Sequence, residues 1–340
     1  MKLLWLDLNS SYAHSSLALP ALHAQIADDT TVEWCMVSAT INENTGNIVK
    51  QIYQHQPDII AATNWLFNHE QLLHIVSRSK ALLPQCCIIL GGPEFLGDNK
   101  DFLFKNKFVN GVFRGEGEEV FPIWLKVWNH PVNEWNQISG LCYLDESDQY
   151  QDNGIARVMN FSQLVSPEKS RFFNWSKPFV QLETTRGCFN TCAFCVSGGE
   201  KPVRTISLEA IRERLNVIHQ HGIKNVRVLD RTFNYNNKRA KELLHLFREY
   251  APDICFHLEI HPALLSEELK EELAILPNGL LHLEAGIQSL REPVLEKSRR
   301  IGKLSDALQG LKYLCSLKNM ETHADLIAGL PLYHLSLIHI

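Results

Sequence analysis

Residues 182–195 read LETTRGCFNTCAFC. A strand-like run ending in Thr185 gives way at Gly187 to a loop that carries Cys188, Cys192 and Cys195. Glycine at that point lets the backbone turn sharply out of a strand. Thiolates at i, i+4 and i+7 on one loop wrap a compact inorganic group, and soft sulfur ligands suit iron–sulfur or zinc. Four cysteines close an ordinary electron-transfer cluster, whereas three leave one metal corner open, as a catalytic site needs. The competing reading is a structural zinc ion with a borrowed fourth ligand, His219 or His221. Its spacing departs from the paired C-x2-C zinc pattern.

Working outward from this loop, strand-like runs recur at regular intervals: 179–185, 225–233, 254–260, 280–286 and 323–329. Helical patterns separate them. The clearest is 207–222, SLEAIRERLNVIHQHG, with Ser207 as N-cap and Gly222 as stop. Residues 266–276, SEELKEELAIL, open with a serine and an acidic first turn. The alternation predicts a (β/α) barrel over 176–340, whose active site gathers at the carboxyl ends of its strands. Five β/α units followed by LYHLSLIHI (332–340), with no convincing helix, read as a barrel cut short or ending in a non-native tail.

Ahead of it, 2–8, 31–37, 58–65, 86–92 and 111–118 are apolar runs alternating with helical segments. That pattern predicts an α/β domain over 1–128, a doubly wound parallel sheet that binds ligands beyond its strand ends. Residues 129–175 read as a connector with a hairpin at 139–161, whose turn is rich in Asp, Asn and Gly. The chain has 340 residues, net charge −5, 45% hydrophobic and 21% charged residues. No cationic block stands out, so nucleic-acid binding is not indicated. No run reaches the ~20 apolar residues of a membrane span. The N-terminus lacks a signal pattern, and the cytoplasm is the expected compartment. Nine cysteines in a chain this large do not form the disulfide framework of a small secreted domain.

C-x3-C-x-Phe-C after a first barrel strand resembles the signature of the radical S-adenosylmethionine (SAM) superfamily. The resemblance implies a [4Fe–4S] cluster on Cys188, Cys192 and Cys195. SAM would bind its open iron, and one electron would release a 5′-deoxyadenosyl radical. The cofactor carries that chemistry and the protein orients it. It also implies SAM contacts at Phe194 near the adenine, at Asp230 and Thr232 in VLDRTFN, and at Glu259 after strand three. Glu284 and Gln288 in HLEAGIQS and the backbone beside Ile327 complete the set; Ser289 and Arg299 or Arg300 lie close by. Gly198-Gly199-Glu200 looks like the family's SAM motif but precedes its proper place, so it reads as loop. Arg204, in Val203-Arg204, is expected at SAM's carboxylate. Taken singly, each polar group is equally a surface or strand-end residue. Implied partners are a small-molecule substrate and a low-potential donor of flavodoxin or ferredoxin type.

The N-terminal unit resembles the cobalamin-binding domain that precedes many radical SAM barrels, through ILGGPEF (89–95), VFRGEGEEVF (112–121) and LNSSYAHSSLAL (8–19). It implies contacts at His14, Thr63, Gly91, Gly92 and Glu116, the glycines admitting a flat ligand close to the backbone. The Asp-x-His-x-x-Gly motif is degraded to residues 12–17, keeping only His14, and the later Ser-x-Leu element reads Thr63-Asn64-Trp65. A loop histidine at a helix start is as good a reading of His14 as a cobalt ligand. Cobalamin is therefore expected to bind weakly, without His ligation, or not at all. Three functions follow from these residues. One is a cobalamin-type radical SAM enzyme catalysing methylation, rearrangement or cyclisation. Another is a methylthiotransferase-like enzyme with a second cluster on Cys35, Cys86 and Cys87. The third is a metal- or cobalamin-responsive regulator without enzymatic activity.

Overall fold

Uninterrupted apolar strands alternating with amphipathic helices build the first unit, residues 1–177. The computed structural model describes residues 1–332 apart from Gly199. Five strands run parallel in the order β2-β1-β3-β4-β5: β1 (Lys2–Asn9), β2 (Glu33–Thr40), β3 (Ile59–Thr63), β4 (Cys87–Gly91) and β5 (Gly111–Phe113). Helices α1 (Ala18–Ala24), α2 (Thr45–His55), α3 (His69–Leu82), α4 (Lys100–Lys105) and α5 (Val120–Leu125) connect or follow them. Ile59 to Ala62 and Cys87 to Leu90 are all buried, because both faces of the sheet are covered. Leu4, Leu6, Ile60 and Ile88 pack on one side with Ile48, Ile52, Leu72 and Ile75. On the other, Leu3, Trp5, Ile59 and Ile89 meet Phe121, Trp124 and Trp135. The order reverses between β1 and β3, so the loops after these strands flank a switch-point crevice.

The hairpin expected in the connector forms, as β6 (Leu141–Leu144) and β7 (Tyr150–Asp152). It is no separate linker: β6 pairs antiparallel with β5, Val112 opposite Cys142, and makes the sheet seven-stranded. Asp145 shapes the turn by accepting from the Ser147 and Gln149 amides at 2.9 Å each. Residues 129–177 thus share the first unit's core, and the chain divides at Lys177/Pro178.

The second unit holds β8 (Val180–Leu182), β9 (Thr185–Arg186), β10 (Arg204–Thr205), β11 (Asn225–Val228), β12 (Cys255–Ile260), β13 (Leu281–Gln288) and β14 (Glu321–Leu326). Its helices are α6 (Leu208–Gln220), α7 (Asn237–Arg248), α8 (Glu267–Ala274), α9 (Glu292–Lys297) and α10 (Leu304–Ser316). Five strands lie parallel in sequential order, β8-β11-β12-β13-β14, as on one side of a (β/α) barrel. Ser207 caps α6 by accepting from the Ala210 amide, and Gly222 stops it at φ +71°. β13 alternates buried and half-buried along its whole length. Its apolar set faces the helices, where Phe247 of α7 stacks on Phe256 of β12 at 4.1 Å. The opposite face is polar. Residues 333–340, most of the suspect tail, lie outside the described residues. Among the described residues no helix is long and apolar enough to cross a membrane.

Candidate functional site

The cysteine loop leaves β8 and is closed by a small ribbon in which β9 and β10 pair antiparallel, Arg186 opposite Arg204. Gly187, at φ +92°, brings the loop against its own return. A Cβ there would stand 2.5 Å from the Glu200 carbonyl, which accepts the Cys188 amide at 2.9 Å. Cys188 and Cys192 are buried and Cys195 half-buried. Burial raises the Cys188 thiol's pKa, and the neighbouring Cys195 and Cys192 add to it. Cys195 and Cys192 thus lie close enough to Cys188 to oppose its ionisation. Asn190, between the first two cysteines, is buried with neither end of its amide hydrogen-bonded. A buried orphan amide in a cysteine loop marks where a bound group belongs. This loop fits a cluster held by three thiolates. The zinc alternative finds no fourth ligand in its two candidates: His219 Nε2 is 3.0 Å from Asp253, and His221 Nδ1 is 2.9 Å from the Val217 carbonyl.

Asp230 sits just beyond β11, almost wholly buried. It accepts from the Thr184 and Thr185 amides at 2.8 and 2.9 Å and from the Thr184 hydroxyl. Its carboxylate braces the root of the cysteine loop. Thr232 is buried and its hydroxyl bonds both the Arg231 carbonyl and Cys188. Arg204 Nη2 lies 3.7 Å from Glu200. Phe194 is half-buried in the loop between the second and third cysteines. Gln288, at φ +67°, sits at a bulge ending β13, and its carbonyl accepts the amide of half-buried Ile327 at 2.9 Å. Ser289 is fully buried, and its hydroxyl accepts the Arg291 amide. Of Gly198-Gly199-Glu200, the described members are loop, as expected; Gly199 lies outside the described residues.

Arg300, one of the two arginines expected close by, reaches the cysteines, and His261 beside it was not anticipated. Arg300 donates from Nη1 to Cys192 Sγ at 3.9 Å and from Nη2 to the Gly286 carbonyl at 2.9 Å. His261 is buried with both ring nitrogens unpaired, its pKa pushed down to about 3 by burial and by Arg300. The polar face of β12–β14 holds a larger surprise. His257, His282 and His323 interlock there with Glu284, whose carboxylate lies 3.0 Å from His257 and 3.6 Å from His323. Glu284 thus pairs with two histidines of this cluster. Glu259 opens to solvent on the same face, yet crowding by protein and then Glu284 push its carboxyl up to about 7. The signal was legible: His-x-Glu, His-x-Glu and His-x-Asp begin at 257, 282 and 323.

In the first unit, His14 follows β1 with its Nδ1 2.7 Å from the Ser11 hydroxyl. Thr63 ends β3. A Cβ on Gly91 would meet only Phe113 at 3.8 Å, leaving room. Gly92 differs: at φ +112°, a Cβ would run into Asn64 O at 2.5 Å and Thr63 Cγ2 at 2.8 Å. Its missing side chain makes room for the β3–α3 loop. Glu116 likewise accepts the Val158 amide at 2.8 Å, so it ties the 154–158 segment to the sheet. Tyr12 and Leu66, on the loops after β1 and β3, are 85% and 82% exposed. That much bare apolar surface beside a switch point suits a large flat ligand.

A thiolate loop with an open corner, set at the strand ends of a half-barrel, defines a cluster-binding (β/α) enzyme class, here preceded by a doubly wound domain. The radical SAM superfamily model matches residues 182–334 and the B12 binding domain model matches 7–125. The chain thus carries a radical SAM domain preceded by a B12-binding domain. It is 25% identical over 302 residues to an uncharacterized methyltransferase of Pyrococcus horikoshii, covering 84% of this chain and 63% of that protein. Cytidylyl-2-hydroxyethylphosphonate methyltransferase of Streptomyces wedmorensis is 22% identical, over 84% of this chain and 60% of its own. The cobalamin-dependent SAM radical enzyme OxsB, solved with aqua-cobalamin and SAM bound, shares the fold: TM-score 0.78 at 18% identity, over 96% of this chain and 49% of that one. The chain thus spans 63% or less of each of these three proteins.

Proposed function

We propose that this chain is the cofactor-binding portion of a cobalamin-dependent radical SAM methyltransferase acting on a small molecule. The carrying observation is the three-cysteine loop with its buried orphan Asn190, braced by Asp230 at the first strand of a parallel half-barrel. When bound, the cluster supplies the electron that cleaves SAM and cobalamin serves as methyl carrier. Cys188, Cys192 and Cys195 hold the cluster. Thr232 steadies Cys188, and Arg300 donates to Cys192. Phe194, Gln288 and the Ile327 backbone are proposed at SAM's adenosine, Arg204 at its carboxylate and Glu259 at its amino group. In the first domain, His14, Thr63 and Gly91 line the proposed corrin site, with Tyr12 and Leu66 covering the ring.

Methyl transfer is preferred over rearrangement because the relatives above carry methyltransferase names. Geometry weighs against the methylthiotransferase reading. Cys86 and Cys87 belong to cores on opposite faces of the first sheet, and burial pushes both thiols up to about 12. They cannot join Cys35 around one cluster. All nine cysteines are unpaired, which supports a reducing, cytoplasmic setting; a flavodoxin- or ferredoxin-type donor is proposed as the electron source. The deciding experiment is anaerobic reconstitution. About four irons per chain, a cluster signal that shifts on adding SAM and 5′-deoxyadenosine formation are expected. Iron near zero, or zinc in its place, would overturn the reading. Hydroxocobalamin binding with an unchanged spectrum in His14→Ala supports a corrinoid held without histidine; no retained corrinoid removes cobalamin from the proposal.

A further inference from the structure

The loop that follows β1, residues 10–17, carries both Tyr12 and His14, and it is held from far away in the sequence. Lys177, the last residue of the first unit, donates from Nζ to the Tyr12 carbonyl. The same ammonium stands 5.4 Å from the centre of the Tyr12 ring, within cation–π range. One side chain thus holds both the backbone and the ring of a residue that is 85% exposed. Near the end of β1, burial raises the Asp7 carboxyl, while hydrogen bonds from Asn9 at 2.7 Å and Ser38 at 3.4 Å and the charge of Lys177 draw it back. The stretch leading to Lys177 is fastened in its turn. The Gln25 side-chain amide, at the end of α1, exchanges two hydrogen bonds with the Val165 backbone, at 2.9 and 3.0 Å. Ser170 Oγ lies 3.0 Å from His23 Nδ1 on α1, and Arg171 Nη2 donates to the Trp34 carbonyl of β2 at 3.0 Å. Residues 165–177 therefore run as a strap fastened to α1 and end on the loop that precedes that helix.

We propose that Lys177 is a positioning residue for the corrin: at the end of this strap it presets the 10–17 loop, with Tyr12 and His14, in the shape that receives the ring. The inference rests on the corrin site proposed above. Holding a lysine in one rotamer costs side-chain entropy, and water serves a carbonyl on an exposed loop about as well. Exposed contacts of this kind add little to stability. What they supply is order. A loop already in its bound form loses less freedom when a ligand arrives, and affinity rises by that difference. The loop's own bonds are local: Ser11 Oγ to His14 Nδ1 at 2.7 Å, and Ser16 Oγ accepting the Ala18 amide at 3.1 Å. They shape the turn, whereas Lys177 ties it to a distant segment of the same unit.

The test is a hydroxocobalamin titration of the full chain, followed by corrinoid absorbance, with urea melts and chymotrypsin cleavage after Tyr12 as companion readings. Lys177→Met keeps the aliphatic stem and removes the charge and the donor. It should weaken hydroxocobalamin binding about fivefold to tenfold and speed cleavage after Tyr12 severalfold, with the urea midpoint unchanged. Lys177→Arg keeps a charge and donors, and should restore both readings to within about twofold of the wild type. Lys126→Met, at an exposed lysine elsewhere in this domain, should change neither. Wild-type affinity in Lys177→Met overturns the inference and leaves the corrin site standing. Affinity that falls only together with the urea midpoint, and that Lys177→Arg does not restore, makes Lys177 a structural residue and overturns it too. A wild-type chain that retains no corrinoid removes the corrin reading and this inference together.

Discussion

The two sheets are built from the same alternation of strand and helix, yet they bury their strands in opposite ways. β3 and β4 are buried at every core position, and their sequences, IIAAT and CIILG, are continuous apolar runs. β13 alternates, and its sequence, LHLEAGIQ, alternates with it. A strand covered on both faces has no side left for ionisable groups, so the first domain can do chemistry only at its loops. A strand covered on one face offers a row of positions every second residue. The second domain fills that row with His, Glu and Gln. Composition along a strand thus tells where a fold can carry function before any site is found.

The sharpest way to break this contrast is to remove chemistry from one domain and ask whether the other notices. Cys192→Ala should abolish cluster loading, iron falling from about four to near zero per chain. Cys86→Ala, in the first sheet's core, should leave iron unchanged while costing ~1 kcal/mol or more of stability, read by urea melts. Iron loss in both would mean that the cysteines of the two domains are not separable in role. Next in size is Asp230→Ala. It strands two buried amides and a hydroxyl at the root of the cysteine loop, at about 1–3 kcal/mol for each unsatisfied buried group. Asp230→Asn keeps an acceptor for the amides and should recover most of that loss. A ligand-contacting Asp230 would instead leave stability unchanged and weaken SAM binding alone.

The fold and the cluster ligands were legible because each rests on local spacing. Periods of two and 3.6 mark elements, and C-x3-C-x2-C marks a wrapped group. What sequence reasoning missed needs register or tertiary approach. The histidine cluster at His323 depends on a two-residue offset between β13 and β14 that no single strand encodes. Asp230 and Glu284 carry matching family motifs, but a motif does not reveal that their carboxylates meet Thr184 and His257. Nor does the sequence reveal that the Asn64 backbone shares the space beside Gly92.

That glycine pair sharpens the comparison within the first domain. Gly92→Ala puts a Cβ at φ +112° against the Asn64 carbonyl, and a loss of about 1–3 kcal/mol in urea melts is expected. Gly91→Ala meets nothing closer than 3.8 Å and should cost less than about 0.5 kcal/mol. If Gly91→Ala nonetheless weakens retention of hydroxocobalamin, the ligand approaches the β4 end at that residue. Equal loss of stability in both variants would mean that the β4 end is packed throughout and the corrin site lies elsewhere.

The smallest effect concerns the polar face itself. Glu259 has its carboxyl pushed up to about 7, from an ordinary 4.5, by crowding and by Glu284. Between pH 4.5 and 7 the folded chain keeps a proton that the unfolded chain releases. Stability must then fall as pH rises through that window, since the unfolded state binds fewer protons. Below it both states are protonated, and above it the full penalty remains. Glu259→Gln removes the titration, so the variant should match the wild type near pH 4.5 and exceed it above pH 7, both compared without cofactor. Solvent access to the side chain screens the gain to about 1 kcal/mol or less, roughly 2–4 °C in Tm. A gain that is the same at every pH would show Glu259 ionising as on any open surface. The acids of β12 and β13 would then be ordinary exposed residues, and the contrast between the sheets would rest on the cysteine loop alone.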